Sequence, residues 1–388
     1  MAAATAKSLI VNVYNSDMVW KAQIEDIQSL IHRTSWHEIV YSEMKISKKA
    51  QGVDEIKIGD IFIVNNQRDK ALIVEEMQTS LIDDFWTISL LALKGMLNYR
   101  ICHPSDTTPF APRLQSEVMM IIPYNNLVWQ TRDDDRKFWS SAGKAGGVNM
   151  FGVTVLKTYG ASIYYTVDWK TGYMGDAVVS IAKMNTVGTY PIGWNIYVSS
   201  DYKFFHMDTY QGTNRTINQT AVPPVVFSEE YGNIKDAHYT YSIKDWRNVA
   251  YMNWNNGTAD QNTPVGNTTH GATISFNRKE IIVDSSKKIS SEVTAEGRSE
   301  LNKRPHVESF TAEILNNTRT MSTYNEHWFL GDIVTVQAGL LGNEIVSIDA
   351  QITQIEEIYD NGEYSINATF GEGKLSFVQL IKNAINQK

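Results

Sequence analysis

The chain has 388 residues, of which 43% are hydrophobic and 20% charged, enough apolar material for two or three packed domains and no compositional signal for disorder. Its formal net charge of −8 argues against nucleic-acid binding, which rests on Lys and Arg releasing counterions from phosphates. The single cysteine, Cys102, excludes an intrachain disulfide and a Cys-based metal site, and no run reaches the ~18 apolar residues of a membrane anchor.

Met1 to Lys7 carry no apolar core of a signal peptide, so the chain reads as one made in a cytosol. From there the first hundred residues alternate as strands do. Ile10–Tyr14, Trp20–Ile24, Ile56–Val64, Ala71–Met77 and Phe85–Leu90 are separated by turn signals, the spacing of a barrel or sandwich. Ile27 to Trp36 fits either a strand or a short helix. Pro104, Pro109 and Pro112 punctuate the chain and suggest a first boundary near residue 110. Leu114 to Ile122 has helical apolar spacing, Arg132 to Trp139 reads as a charged helix face or loop, and strands follow at Ile192–Tyr197 and Phe204–Tyr210. This middle stretch, 111–222, looks α+β.

Pro223-Pro224 marks a second change. Strands resume at Val225–Ser228 and Tyr239–Ile243, an Asn/Gly/Thr-rich stretch from Asn253 to His270 reads as an exposed loop, and Ser285 to Lys303 as a charged helix. Val293, Ala295 and Leu301 form the helix's apolar side and Pro305 ends it. Further strands are expected at Val307–Ala312, Ile333–Val336, Asp349–Glu357 and Tyr364–Phe370, with a short amphipathic segment at Leu375–Ile385.

One internal echo carries most weight. Ile58-Gly59-Asp60-Ile61-Phe62-Ile63-Val64 matches Leu330-Gly331-Asp332-Ile333-Val334-Thr335-Val336. Glycine supplies a positive φ, aspartate can hydrogen-bond the turn, and a β-branched strand follows. Each copy continues into a strand ending in acidic residues, a turn (Asp83-Asp84; Asp360-Asn361-Gly362) and another strand. The expected fold is therefore mainly β with an α+β insertion. Two similar β-barrels, 1–110 and 223–388, flank the connecting domain 111–222, and the second barrel carries an inserted loop and helix at about 250–306.

Six strings in the second half carry a resemblance: Tyr210-Gln211-Gly212-Thr213-Asn214-Arg215-Thr216, Val226-Phe227-Ser228, Gly232-Asn233-Ile234, Asn248-Val249-Ala250-Tyr251, Ile282-Val283-Asp284 and Trp328 to Val336. In this order they resemble the baseplate hub family of siphophages infecting Gram-positive hosts, which includes the N-terminal part of tail-associated lysins. Asn214 stands where the family usually has Asp. The resemblance implies a structural tail-tip hub in the virion, assembled in the host cytoplasm. Three chains with two barrels each would make a pseudo-six-fold ring that closes the tail tube. The implied partners are two further copies of this chain, a distal tail or tail-tube protein and a receptor-binding or fibre protein, with DNA passing the lumen without specific binding.

The motif residues are Gly59, Asp60, Gly212, Arg215, Thr216, Gly331 and Asp332; Gly212 and Gly331 are expected in turns with no room for a Cβ, and Arg215 to hold a carboxylate or backbone carbonyls at a domain junction. No catalytic residue, metal ligand or cofactor is assigned. His32, His37 and Glu38 are read as ordinary surface residues rather than a metal site. Ala142 to Gly147 lacks the ending of a phosphate-binding loop, and the pairs Asp83-Asp84, Asp133-Asp134-Asp135 and Glu356-Glu357 are expected on solvated faces. Two rival readings remain, a non-catalytic glycan- or receptor-binding module using Trp246 and Trp254, and a cell-wall hydrolase.

Overall fold

The computed structural model describes residues 9–103, 113–129, 134–138, 140, 148–154, 159–160, 162–163, 172–183, 192–266, 275–302, 304, 307–315, 322–341 and 344–371. Contacts divide the chain into two compact units, Met1–Ala237 with Ala312–Ala368, and His238–Thr311 with Thr369–Lys388.

The larger unit opens with seven strands: β1 (Val11–Tyr14), β2 (Trp20–Ile24), β3 (Ile27–Ser35), β4 (Tyr41–Ser47), β5 (Ile61–Val64), β6 (Leu72–Gln78) and β7 (Phe85–Ala92). The ambiguous segment from Ile27 is thus a strand. Successive side chains of a strand point to opposite faces, and alternate residues of all seven strands converge on one core: Val11, Val13, Ala22, Ile24, Leu30, Met44, Ile46, Phe62, Val64, Leu72, Val74, Ile88 and Leu90. Such convergence needs a curled sheet. Burial of β5 on both faces explains its unbroken apolar run, because Ile61, Ile63 and Ile73 point outward into a second core.

That second core belongs to the middle stretch. It is built from β8 (Arg113–Leu114), α1 (Gln115–Pro123), β9 (Phe151–Val153), β10 (Ser162–Ile163), α2 (Met174–Ala182), β11 (Ile192–Val198) and β12 (Phe205–Gln211). Strands β11 and β12 pair antiparallel, and β9 adds parallel to β12. The α+β character read from sequence is present. Pro104, Pro109, Pro112, Asp133 and Ala142 to Gly147 lie outside the described residues.

The remaining strands are β13 (Val226–Ser228), β14 (Ile234–Ser242), β15 (Val249–Asn255), β16 (Asp260–Gly266), β17 (Glu280–Asp284), β18 (Val307–Ile314), β19 (Ile333–Leu341), β20 (Glu344–Asp360) and β21 (Glu363–Gly371), with helix α3 at Ser290–Asn302. One sheet has the order β14-β18-β21-β20-β3-β4-β7-β6-β5-β1-β2, and β19 joins it between β13 and β20. The long strand β20 pairs with β19 through its first half and with β3 through its second, Glu357 facing His32. The expected two barrels are therefore two lobes of one continuous sheet, and no closed circuit of strand pairs occurs among the described residues.

In the smaller unit β15 pairs antiparallel with β16 and parallel with β17, and Ala250, Met252, Val265, Val293 and Leu301 form its core. Asn253 to Gly266 is thus a hairpin rather than the expected loop, turning at Asn256 to Ala259. Its polar residues are compatible with a strand because β16 is an edge whose outer face meets water. On α3, Ala295 is exposed and Gly297 takes the buried place assigned to it. His270, Pro305, His306 and Leu375 to Ile385 lie outside the described residues.

Candidate functional site: the paired Gly-Asp turns and their junction

The two echoed segments fold alike, bond for bond. Gly59 and Gly331 both hold a left-handed backbone, φ 87° and 92°. The Gly59 N–H donates to Val74 O and the Gly331 N–H to Ile352 O, each at 2.8 Å. Val74 returns a bond to Asp60 O and Ile352 to Asp332 O. Each carboxylate then accepts the N–H three residues back, Lys57 to Asp60 at 2.8 Å and Phe329 to Asp332 at 3.0 Å. Each also receives one cation at 2.7 Å, Lys21 on β2 for Asp60 and Arg215 for Asp332.

Arg215 thus holds a carboxylate, one of the two roles its position allowed. Its backbone contributes as well, the N–H donating to Ile333 O and its carbonyl accepting from Val225. Thr213 N–H donates to the other oxygen of Asp332 at 3.0 Å. Thr216 is buried, and its N–H donates to Asn214 Oδ1 at 3.0 Å; an Asp at 214 could accept the same bond, so the Asn keeps the turn. Removing the Asp332 carboxylate leaves the Arg215 guanidinium, only 17% exposed, without its partner. Asp332→Ala is therefore expected to lower unfolding free energy by about 3 kcal/mol or more. Asp60→Ala should cost less, because Asp60 accepts fewer bonds; urea unfolding of both variants checks the order.

Gly212 and Gly331 meet face to face. A Cβ on Gly212 would stand 1.7 Å from the Gly331 carbonyl oxygen. Trp36, at the end of β3, lies between two glycines: a Cβ on Gly193 would come within 2.4 Å of its ring and one on Gly331 within 2.3 Å. The Trp36 N–H donates to Thr353 O, and its carbonyl accepts from Trp194. One indole thereby joins the first lobe, the middle core and the second Gly-Asp turn.

Beside this junction lies a buried ionic cluster that sequence reasoning missed. Lys70 Nζ stands 2.5 Å from Glu357, with side-chain exposures of 8% and 1%. Tyr364 donates to the other Glu357 oxygen at 2.9 Å, and Lys70 sits over the Tyr324 ring. Burial pushes the Glu357 carboxyl up, but Lys70, His32 and two hydrogen bonds outweigh it and hold it below the usual range. Burial likewise lowers Lys70, and Tyr324 and Glu357 outweigh that, so its net shift is upward.

His32 is buried, and His37 is half-buried with its Nε2 shielded from solvent, against the surface placement expected for them. Burial lowers His32 to about 4 and His37 to about 3. Neither Nε2 finds a hydrogen-bond partner. Glu356-Glu357 is no solvated pair either, since Glu357 is buried and Glu356 receives Arg33 at 2.7 Å. A general acid needs a raised carboxyl pKa, and Glu357 is shifted the other way. Asp83 and Asp84 are exposed as expected. Among the described residues no group of three or more His, Cys, Asp or Glu could hold a metal ion, and no helix is long and apolar enough to cross a membrane.

The two tryptophans offered as contact residues differ in exposure. Trp246 is buried, with Lys279 over its ring. Trp254 lies on β15, half covered, its indole N–H donating to Thr263 Oγ1 at 3.0 Å.

This sheet, with two equivalent turns in one chain, has the fold of phage tail proteins. It is similar to the 43 kDa tail protein of prophage MuSo2 from Shewanella oneidensis, at 12% identity and a TM-score of 0.53, covering 94% of this chain and 98% of that one. It is also similar to a tail protein of Neisseria meningitidis MC58, at 8% identity and a TM-score of 0.52, covering 94% and 97%. No curated protein matches. Residues 163–372 match the siphovirus ReqiPepy6 Gp37-like protein family, and the chain belongs to that family.

Proposed function

We propose that the chain is the hub of the tail tip, a homotrimer whose two Gly-Asp lobes give a ring of six similar units. The observation that carries this reading is the equivalence of the two turns, which share the same three backbone–backbone bonds, the same backbone N–H to carboxylate bond and the same carboxylate–cation pair. A duplicated unit lets three chains present six alike surfaces, which suits a six-fold tube above and three-fold components below. On this reading 1–110 and 223–388 are the ring-forming parts, 111–222 braces them, and Gly59, Asp60, Gly212, Arg215, Thr216, Gly331 and Asp332 set the turns.

The role is structural rather than catalytic. Partners are a distal tail or tail-tube protein on one side and a receptor-binding or fibre protein on the other. The lumen is expected to be weakly acidic, so that exiting DNA is not retained, which suits a net charge of −8. Native mass measurement should return three times the subunit mass, and imaging of tails should put three-fold density beneath the six-fold tube. A protein that stays monomeric and never co-purifies with tails overturns the proposal.

A further inference from the structure

The two copies agree at their Gly-Asp turns and differ at their hairpin tips. Strands β20 and β21 are joined by Asn361-Gly362 alone, with φ of 49° and 87°, the positive values of a tight two-residue hairpin turn. Strands β6 and β7 are joined by the longer segment Thr79 to Asp84. At its tip Leu81 and Ile82 are 104% and 93% exposed. Single exposed apolar residues are ordinary, but two adjacent ones fully in water are unfavourable unless something covers them.

The loop is built rather than slack. Thr79 Oγ1 donates to Phe85 O at 2.9 Å, and Ser80 Oγ donates to the Asp83 carboxylate at 2.6 Å. Lys48 Nζ donates to Ser80 O at 2.8 Å, and the Lys48 N–H donates to Asp84 O at 2.9 Å. Ordering costs that binding would otherwise incur are already met in the free chain.

Register puts both tips at one end of the shared sheet. Ser47 pairs with Phe85 at the first tip, and Ile46 pairs with Ile27. Two residues along β3, Ser29 pairs with Asp360 at the second tip, and the Asn361 N–H donates to Gln28 O. In the proposed ring this end would carry three raised apolar tips alternating with three flush turns.

We propose that Leu81 and Ile82 form a docking knob for a three-fold tail protein seated on this end of the ring. The inference rests on the hub reading and deepens it. A six-fold tube needs six alike contacts, which the two unlike tips cannot supply, whereas a feature present once per chain is repeated three times per trimer. The socket is apolar with a basic rim, complementary to the exposed Asp83 and Asp84 beside the knob. The same acids disfavour knob-to-knob packing with a second copy, where they would face each other.

The test is a Leu81→Ser/Ile82→Ser variant, and a second in which Asn-Gly replaces residues 79–84. Both change only exposed positions, so the purified proteins should melt and trimerise as the parent does. Tails assembled with either variant should keep the tube protein and lose one other tail protein at least tenfold by quantitative mass spectrometry. Tails of unchanged composition overturn the knob, as does loss of the tube protein instead. Loss of trimers in the variants alone would reassign the knob to contacts between copies and overturn it too. A parent chain that is itself monomeric sinks the hub reading first, a separable result.

Discussion

Gly212→Ala is expected to abolish the native fold, whereas Gly59→Ala is expected to cost only about 1 kcal/mol. The contrast follows from what a methyl group meets. On Gly212 it would lie 1.7 Å from the Gly331 carbonyl oxygen, a backbone atom that cannot turn aside. Asp332 N–H is bonded to Phe329 O and Gly331 N–H to Ile352 O, so the opposing chain is fixed as well. Overpacking of side chains typically costs about 1–3 kcal/mol, and a backbone clash exceeds it. Gly331→Ala should fall between the two, with the left-handed strain of its φ of 92° and the Trp36 ring 2.3 Å from the new carbon. Gly59 has the same strain and nothing within 4 Å. Urea midpoints should therefore rank Gly59→Ala, Gly331→Ala, Gly212→Ala in order of increasing damage. Equal effects at Gly59 and Gly331 would mean that Trp36 does not brace the second turn.

These residues also mark what the sequence could reveal. The Gly-Asp echo was legible because a positive φ and an aspartate that bonds its own turn are local demands, written into consecutive residues. Strand patterns located β1, β2, β5, β6 and β7 for a similar reason, left β3 open between strand and helix, and did not mark β4. The apolar run at β5 hinted at burial on both faces but did not say what covered the outer one. Arg215 could be tied to a carboxylate in general and not to Asp332, which lies 117 residues on.

Three features left no local signal. The Lys70–Glu357 pair spans 287 residues, and each partner alone looks like an ordinary surface charge. The pairing of β3 with β20, which fuses two expected barrels into one sheet, depends on edges that a strand pattern does not label. The β15–β16 hairpin was obscured because Asn253, Asn255, Asp260 and Asn262 face water, and polarity on that face resembles a loop. The two copies also differ in ways that a common pattern hides. Lys21 in one is Arg215 in the other, and a single knob rises where the other copy is flush. Equivalence in the turns with divergence at the tips is what the proposed ring would need to meet six-fold and three-fold neighbours at once.

Acidification should weaken the junction in two stages, and Glu357→Ala should break it at neutral pH. With the carboxylate gone, the Lys70 ammonium, 8% exposed, keeps only Tyr324 beside it, and breaking a buried pair costs about 3–5 kcal/mol. Lys70→Met/Glu357→Leu should recover most of that loss, because an apolar pair of similar size needs no charge compensation. The first acid stage belongs to His32, which faces Glu357 and Lys70 and is held at about 4 against an ordinary 6.5. An unfolded chain takes up this proton as pH falls from 6.5 while the folded chain refuses it, so stability drops through that window. At about 1.4 kcal/mol per pH unit, the loss reaches about 3 kcal/mol by pH 4. The second stage is Glu357 itself. Its folded pKa is depressed below 4.5, so its contribution is complete above that value and disappears as pH falls through the folded one. His37, held at about 3, adds to the slope of the first stage and continues into the second. His32→Leu should flatten the upper stage and lose nothing at pH 7.5, where the imidazole is neutral. Urea unfolding between pH 7.5 and 4 reads both effects. An unaltered slope in His32→Leu would show that this histidine already holds its proton in the folded chain, and the ionic cluster would then have to be redrawn around an imidazolium.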